Sequence, residues 1–299
     1  MLDTKILSLL KVVETGNYTQ ASRALNLTQP AVSQHIRALE DELGVRIFER
    51  VGSRLTLTRE GSIVVQYAKR MFAIDANMKN ELQGRRSGIT TINIGITHTM
   101  ESNVIPEVLA KFASMREGIK VVLTADTQDV LVEKVRNYEL DFAILDGKIY
   151  LPELDCRMMD TDRLMLIVAP EHHLAGQDKV TIDVVKRENL ILRPGGSGTR
   201  DLFAASLESL GMSIEEFNVI LEVDNIATIK DLIRHGYGVS ILAESACMDE
   251  LGKGKIAALP IENLSMERQM NIVFSKDFRY KEILDEIIEI YQSMQEKEI

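Results

Sequence analysis

The chain has 299 residues, 45% of them hydrophobic and 27% charged, which suits two or three folded domains and excludes wholesale disorder. No apolar run approaches the ~18 residues of a membrane span, and the run Ile6–Leu10, broken by Lys11 with no small-residue cleavage site behind it, is not a signal peptide. A net charge of -10 speaks against a nucleic-acid partner for the chain as a whole, and only two cysteines, Cys156 and Cys247, exclude a disulfide framework and a cysteine metal site, so a cytoplasmic location is expected.

The charge is unevenly spread. Residues 1–90 carry 13 Lys and Arg against 9 Asp and Glu, whereas the rest carries 22 against 36. Such a split suggests two functions on one chain, with a polyanion partner reserved for the first part. A first helix is predicted over Thr4–Glu14, with Ile6, Leu9, Leu10 and Val13 at helical spacing, stopped by Gly16-Asn17. A second covers Tyr18–Leu25. The link Asn26-Leu27-Thr28 is as short as a helix-turn-helix requires.

The third helix opens with Thr28 as N-cap and Pro30 in its first turn, runs to Leu43, and stops at Gly44. Val32, Ile36, Leu39 and Leu43 form one stripe that should pack inward. Gln29, Pro30, Ser33, Gln34 and Arg37 form another, polar and carrying a single charge. Gln can bond bidentately to adenine, Ser to several base edges, and Arg to guanine or phosphate, so this face suits DNA readout; the alternative is a solvated polar face. The segments Val45–Arg50 and Leu55–Thr58 then read as two strands around a Gly52-Ser53 turn, a β-wing with Arg50 and Arg54 at its tip. Phosphate contact is their expected role, with a solvated hairpin as the alternative. A fourth helix from Thr58 to about Gly84 repeats Val64, Tyr67, Ala68, Met71, Ile74, Asp75, Met78 and Leu82 at three- and four-residue steps. It pairs with its twin in a dimer or packs on the chain's own core. Gly84-Arg85-Arg86-Ser87-Gly88 is a basic linker and a domain boundary.

The runs Ala21–Leu25, Leu27–Gln34, Ile36–Glu40, Leu43–Arg50 and Leu57–Gly61 closely resemble the winged helix-turn-helix of LysR-type transcriptional regulators. The resemblance extends to length, linker helix and C-terminal half. It implies a winged helix-turn-helix domain over 1-58, a linker and dimerisation helix over 59-89 and an α/β effector domain over 90-299. It also implies a homodimer or homotetramer on double-stranded promoter or operator DNA, with half-sites one helical turn, ~34–36 Å, or a multiple of it apart.

From Thr90 strands alternate with helices. Strands are predicted at Thr91–Thr97, Lys120–Ala125, Phe142–Leu145, Leu164–Ala169, Leu190–Leu192, Val219–Val223, Gly238–Leu242 and Met270–Ser275. Helices are predicted at Ser102–Arg116, Thr127–Tyr138, Thr199–Leu210, Asn225–His235 and Phe278–Gln295. This alternation implies parallel sheets covered by helices. The resemblance, which extends to periplasmic solute-binding proteins, implies two Rossmann-like lobes, 90-163 with 268-299 and 164-267.

Ligands of open parallel sheets bind beyond the carboxyl ends of strands. Two stretches lie there: Thr97-His98-Thr99-Met100, and Pro194-Gly195-Gly196-Ser197-Gly198-Thr199-Arg200. Hydroxyls, an imidazole, backbone N–H groups and a helix start together suit a small anion. The alternatives are that Thr97, Thr99 and Thr199 only cap helices and that His98 is an ordinary half-buried histidine. Asp126-Thr127 and Asp224-Asn225 read as caps first and pocket residues second, and Gly236–Ser240 as a structural turn. Both ligand stretches resemble the sulfur-assimilation and carbon-fixation branches of the family, which implies effector contacts by Thr97, His98, Thr99, Ser197, Gly198 and Thr199. Met100 departs from the polar residue of the sulfur-type members, which sets a small carboxylate with an apolar part beside sulfate as an expected effector.

The reading is thus a DNA-binding regulator controlled by a small anionic metabolite. A solute-binding protein of a transport system is the alternative, and an enzyme using the cleft the least favoured. The chain has no Gly-x-Ser-x-Gly elbow, no dinucleotide fingerprint and no metal-spaced His/Cys cluster. His172-His173, in a predicted loop, offers no paired site. No metal, no cofactor and no membrane partner is expected.

Overall fold

The structure, a computed structural model, describes residues 2–52, 54–147 and 150–295. The chain divides into two compact units near Thr91. The first begins with α1 (Thr4–Thr15), α2 (Tyr18–Ala24) and α3 (Gln29–Leu43). Asp3, Asn17 and Thr28 cap them, each side chain accepting from a backbone N–H in the first turn. Leu9, Val12, Ala21, Val32, Ile36 and Leu39 close the core between the three helices. Full burial of such a Val, Leu or Ile side chain stabilises by ~1.5–3 kcal/mol.

Leu43, expected inside, is 49% exposed. Glu40 goes inside instead: its carboxylate accepts the Ile47 N–H at 2.8 Å and a guanidinium N–H of Arg46 at 3.1 Å. Gly44, at φ 65°, turns the chain away after Leu43, and the buried N–H of the returning segment needs a partner that only a polar side chain provides. The wing is β1 (Phe48–Val51) against β2 (Arg54–Leu57), antiparallel, in register from Phe48↔Leu57 to Val51↔Arg54. Ser53 of the expected turn lies outside the described residues.

The long helix α4 (Arg59–Ser87) starts at Thr58, whose hydroxyl accepts the Gly61 N–H at 2.8 Å and donates to the Arg46 carbonyl at 2.5 Å. This seam leaves no room at Gly61, where a Cβ would stand 2.0 Å from the Ile47 carbonyl oxygen. Gly61→Ala is therefore expected to destabilise the winged unit by ~1–3 kcal/mol. A lower urea midpoint of that unit checks this; an unchanged midpoint contradicts it. Val65 and Ala68 of α4 are buried, whereas Tyr67, Met71, Ile74, Met78 and Leu82 are about half exposed. The apolar stripe seen in the sequence is thus covered at Val64 and Ala68, and its other apolar members find no cover among the described residues of the first unit.

In the second unit β3 (Thr90–Thr97) is followed by a single turn, α5 (His98–Glu101), then α6 (Ile105–Met115), β4 (Ile119–Asp126), α7 (Gln128–Arg136), β5 (Phe142–Asp146) and β6 (Leu154–Val168). The chain continues through α8 (Ile182–Val185), β7 (Leu190–Leu192), α9 (Gly198–Ser209), β8 (Val219–Glu222), α10 (Ile226–Arg234), β9 (Ser240–Ala243), α11 (Met248–Gly252) and β10 (Ala257–Leu259). It ends with β11 (Glu267–Ser275) and α12 (Lys281–Gln295). The sheets are mixed rather than wholly parallel. β3 runs parallel to β5, and β7 to β8, but β11 is antiparallel to β5 and β6, and β6 is antiparallel to β9 and β10.

Two elements differ from expectation for readable reasons. The predicted helix Ser102–Arg116 starts only at Ile105, as α6, with Pro106 just inside its start, and the separate turn α5 precedes it at His98–Glu101. The strand expected from Leu164 begins at Leu154, because Asp155, Arg157, Asp160, Asp162 and Arg163 hide the apolar alternation of its first half. That half pairs with β11, while the second half pairs with β9 and β10. One strand therefore serves two lobes. Each lobe has its own core, one around Phe112, Phe142 and Leu284, the other around Phe203, Ile229 and Leu242. The polypeptide crosses between them at Arg163 and Glu267.

Candidate functional site

On α3 the polar stripe stands clear of the core. Gln29, Pro30, Gln34 and Arg37 are exposed and Ser33 is half-buried, while Val32, Ile36 and Leu39 on the opposite side are buried. Among the described residues none exchanges a hydrogen bond with the side chains of Gln29, Gln34 or Arg37. Their donors and acceptors are therefore available to base edges. Arg50 and Arg54, one pair apart on the wing, are exposed too. The polar face of α3 and the two wing arginines thus both project from the same small unit.

The second site lies between the lobes. A cleft is lined by Thr97, His98 and Thr99 from one lobe, Arg193, Gly196, Ser197 and Gly198 from the other, and Asp126, Thr127, Gln128 and Asp146. Both expected stretches are therefore brought together. Thr97 donates to Asp146 Oδ1 in a short hydrogen bond, and Thr99 donates to Asp146 Oδ2 at 3.4 Å. Thr97 holds the N-cap position of α5 without a side-chain cap bond. Ser197 does cap α9, its hydroxyl accepting the Arg200 N–H at 3.3 Å. His98 sits 3.5 Å from Glu101 and 4.0 Å from Asp224. Thr199 is buried in the first turn of α9 and is not among the lining side chains.

Charged groups organise this cleft: Arg193, Asp146, Arg268 and Asp162, which the sequence reading did not single out, with Asp126 and Asp224, which it placed at helix openings. Arg193, 3% exposed at the end of β7, pairs with Asp224 at 2.5 Å, and its Nε has no partner among the described residues. Asp146 meets the Arg268 guanidinium directly, and Arg268 reaches Asp162 at 3.5 Å. Arg268 and Asp162 are cross-strand neighbours where β11 and β6 cross between lobes. Burial outweighs the guanidinium at Asp162 and pushes its carboxyl above the usual range. At Asp126 burial also opposes ionisation, but Lys134 at 3.0 Å and the Thr127 N–H hold that carboxyl low. Gly198 rests on this cluster: a Cβ there would lie 3.2 Å from Asp146 Oδ2.

Asp146 and Arg193 stand at the ends of strands, like Thr97, so the strand-end rule that found the threonines reaches them too. Arg268 begins an antiparallel crossing strand, where no such rule points. Two expectations are corrected. Met100 is fully buried in the first lobe's core and does not line the cleft, so its departure from the sulfur-type pattern concerns packing rather than ligand chemistry. His172 and His173 are not without a third group: Glu188 lies within 3.4 Å of both.

The model described as "LysR substrate binding domain" matches residues 85–294, and the one described as "Bacterial regulatory helix-turn-helix protein, lysR family" matches residues 4–62. The regulator CysL of Bacillus subtilis is 27% identical over 268 residues, covering 89% of this chain and 88% of that protein. The activator CmpR of Synechocystis is 27% identical over 276 residues, covering 89% and 86%. Among solved structures, CbnR, a LysR family transcriptional regulator, shares the fold with a TM-score of 0.67 at 19% identity, covering 98% of this chain and 99% of that one. The regulatory domain of Synechocystis CcmR, solved in complex with 2-PG, has a TM-score of 0.60 at 22% identity, covering 67% and 96%. With a helix-turn-helix at one end and a matching effector domain over most of the rest, this chain belongs to the LysR family and is a DNA-binding transcriptional regulator with an effector-binding domain.

Proposed function

We propose that the regulator reads its operator through Gln29, Ser33, Gln34 and Arg37 of α3, with Arg50 and Arg54 on phosphates, and is controlled by a small anion polar throughout its length. One observation carries the effector reading: Arg193, buried in the cleft wall, paired with Asp224 and with no partner for its Nε among the described residues, stands beside the glycine loop that starts the twelve-residue helix α9. A cation and a helix N-terminus together favour a negative group. Among the described residues no apolar side chain lines the cleft, so the apolar portion expected from the sequence finds no partner there. Hydroxyl substituents suit it better, with Asp126 and Asp146 as acceptors. CcmR, solved with 2-PG, supplies a precedent for a small ligand in a domain of this fold.

With the lobes as they stand the cleft holds about 30 Å³, room for little more than water. An effector therefore enters as the lobes part and shifts their closure by its differential affinity for the two states. We divide the chain at 1-58, 59-89 and 90-299, with lobes of 90-163 plus 268-299 and 164-267; α4 and the crossing of β6 and β11 support these borders. The uncovered stripe of α4 supports pairing with a second copy. A cytoplasmic location fits a DNA ligand, and no described helix is long and apolar enough to cross a membrane. Catalysis is not part of this reading: the Thr97 and Thr99 hydroxyls serve a carboxylate already paired with Arg268, and burial pushes the Cys247 thiol up to about 12.

The double variant Thr99→Ala, Ser197→Ala tests the pocket. It is expected to bind operator DNA as the parent does while losing the response to hydroxy acids and sugar phosphates, read by fluorescence anisotropy across a panel of such anions. A full ligand response in the double variant would refute the assignment.

A further inference from the structure

The second lobe carries a cluster that neither DNA reading nor the cleft uses. His172 and His173 follow β6 in a loop, and Glu188 precedes β7. The imidazole Nε2 of His172 lies 3.4 Å from one Glu188 carboxylate oxygen, and that of His173 lies 3.3 Å from the other. The two rings sit 4.4 Å apart and 33° from parallel. All three donor atoms fall within 4.8 Å of one another, and no other such group of three His, Cys, Asp or Glu side chains occurs among the described residues.

We propose that His172, His173 and Glu188 bind one divalent cation of the imidazole-preferring kind, Zn(II) first among them. Bonds of ~2.0–2.1 Å from nitrogen and oxygen to a tetrahedral ion place neighbouring ligand atoms ~3.3–3.4 Å apart. Each histidine already stands at that distance from one of the two carboxylate oxygens, and all three donors lie within 4.8 Å of one another, so closing on a single ion takes rotation of the carboxylate and of the two rings. Two imidazoles and one carboxylate suit Zn(II), Ni(II) or Cu(II) and not Mg(II) or Ca(II), which take oxygen ligands. Three protein ligands leave a position open to solvent, as expected of an exchangeable ion.

His172 and Glu188 are half-buried and preorganised, while His173 is the exposed closing ligand. Before metal binding the backbone N–H of Leu174 faces His172 Nδ1 at 3.4 Å. Coordination through Nε2 places the ring proton on Nδ1, and that long, weak contact is given up. The ion ties the loop after β6 to the segment feeding β7, at whose far end Arg193 enters the cleft. It therefore acts on the lobe that carries the glycine loop without occupying the effector's place.

The test uses the full chain stripped of metal by chelation and dialysis. Zn(II) is titrated against a chromophoric chelator into the parent, His173→Ala, Glu188→Gln and, as a control, His235→Ala. One equivalent bound by the parent and by the control, with each of the other two variants at least ~10-fold weaker, supports the site. Circular dichroism establishes that the variants are folded. No stoichiometric Zn(II) binding by the parent, or equal binding by all four proteins, overturns the proposal. Neither outcome depends on identifying the anionic effector, so failure here leaves the cleft reading untouched.

Discussion

Arg268→Ala is expected to cost the effector domain ~3–5 kcal/mol, because it leaves the buried carboxylates of Asp146 and Asp162 without a counter-charge among the described residues. Both are nearly inaccessible to solvent, at 6% and 5% exposure. Desolvation already pushes the Asp162 carboxyl up with the guanidinium present. The loss is thus largely the burden of stranded charge, and a second variant isolates it. In Arg268→Met with Asp146→Asn and Asp162→Asn no ion remains to strand, so most of the stability returns. The effector response does not return, since Asp146 anchors Thr97 and Thr99. The sequence contains no Trp, so urea unfolding is followed by circular dichroism. A single variant as stable as the parent contradicts this account of the crossing strands.

The second large effect concerns DNA. Gln34→Ala and Arg37→Ala should each lower specific operator affinity by ~1–3 kcal/mol, roughly five- to 150-fold. Both side chains are exposed on one face of α3 and lie outside the core of Val32, Ile36 and Leu39, so their removal leaves that core intact. A base reader and a phosphate binder separate by salt and by sequence. Losing a base contact relaxes preference at one position of the operator. Losing Arg50 or Arg54 weakens binding to all duplexes alike and flattens the salt dependence. Footprints identical to the parent's in both α3 variants would remove those residues from the readout.

The winged unit was largely legible because its information is local. Caps at Thr28 and Thr58, the stop at Gly44 and the polar stripe of α3 are set by residues a few positions apart. The one misplaced side chain, Leu43, lost its interior position to Glu40, because a buried N–H seven residues later needed a carboxylate. No helical periodicity contains that demand. In the cleft, Thr97 and Ser197 were legible from their places at the ends of strands. Arg268 was not, because its partners Asp146 and Asp162 come from two other strands and meet it only through the crossing of β6 and β11. Met100 misled for a related reason. Its neighbours in sequence face the cleft, but the turn of α5 directs its own side chain into the core. Glu188 beside His172 and His173 is the same lesson, a third group supplied by folding and by nothing in the local motif.

The central claim is that the face from Gln29 to Arg37 meets bases in duplex DNA. The most direct measurement compares the purified protein on its own upstream region and on a scrambled duplex of equal length and composition, at moderate salt, with and without small polar anions. The account predicts a preference of at least ~10³-fold, sharply reduced in the Gln34→Ala, Arg37→Ala double variant. Equal affinity for the two duplexes under every condition would contradict it.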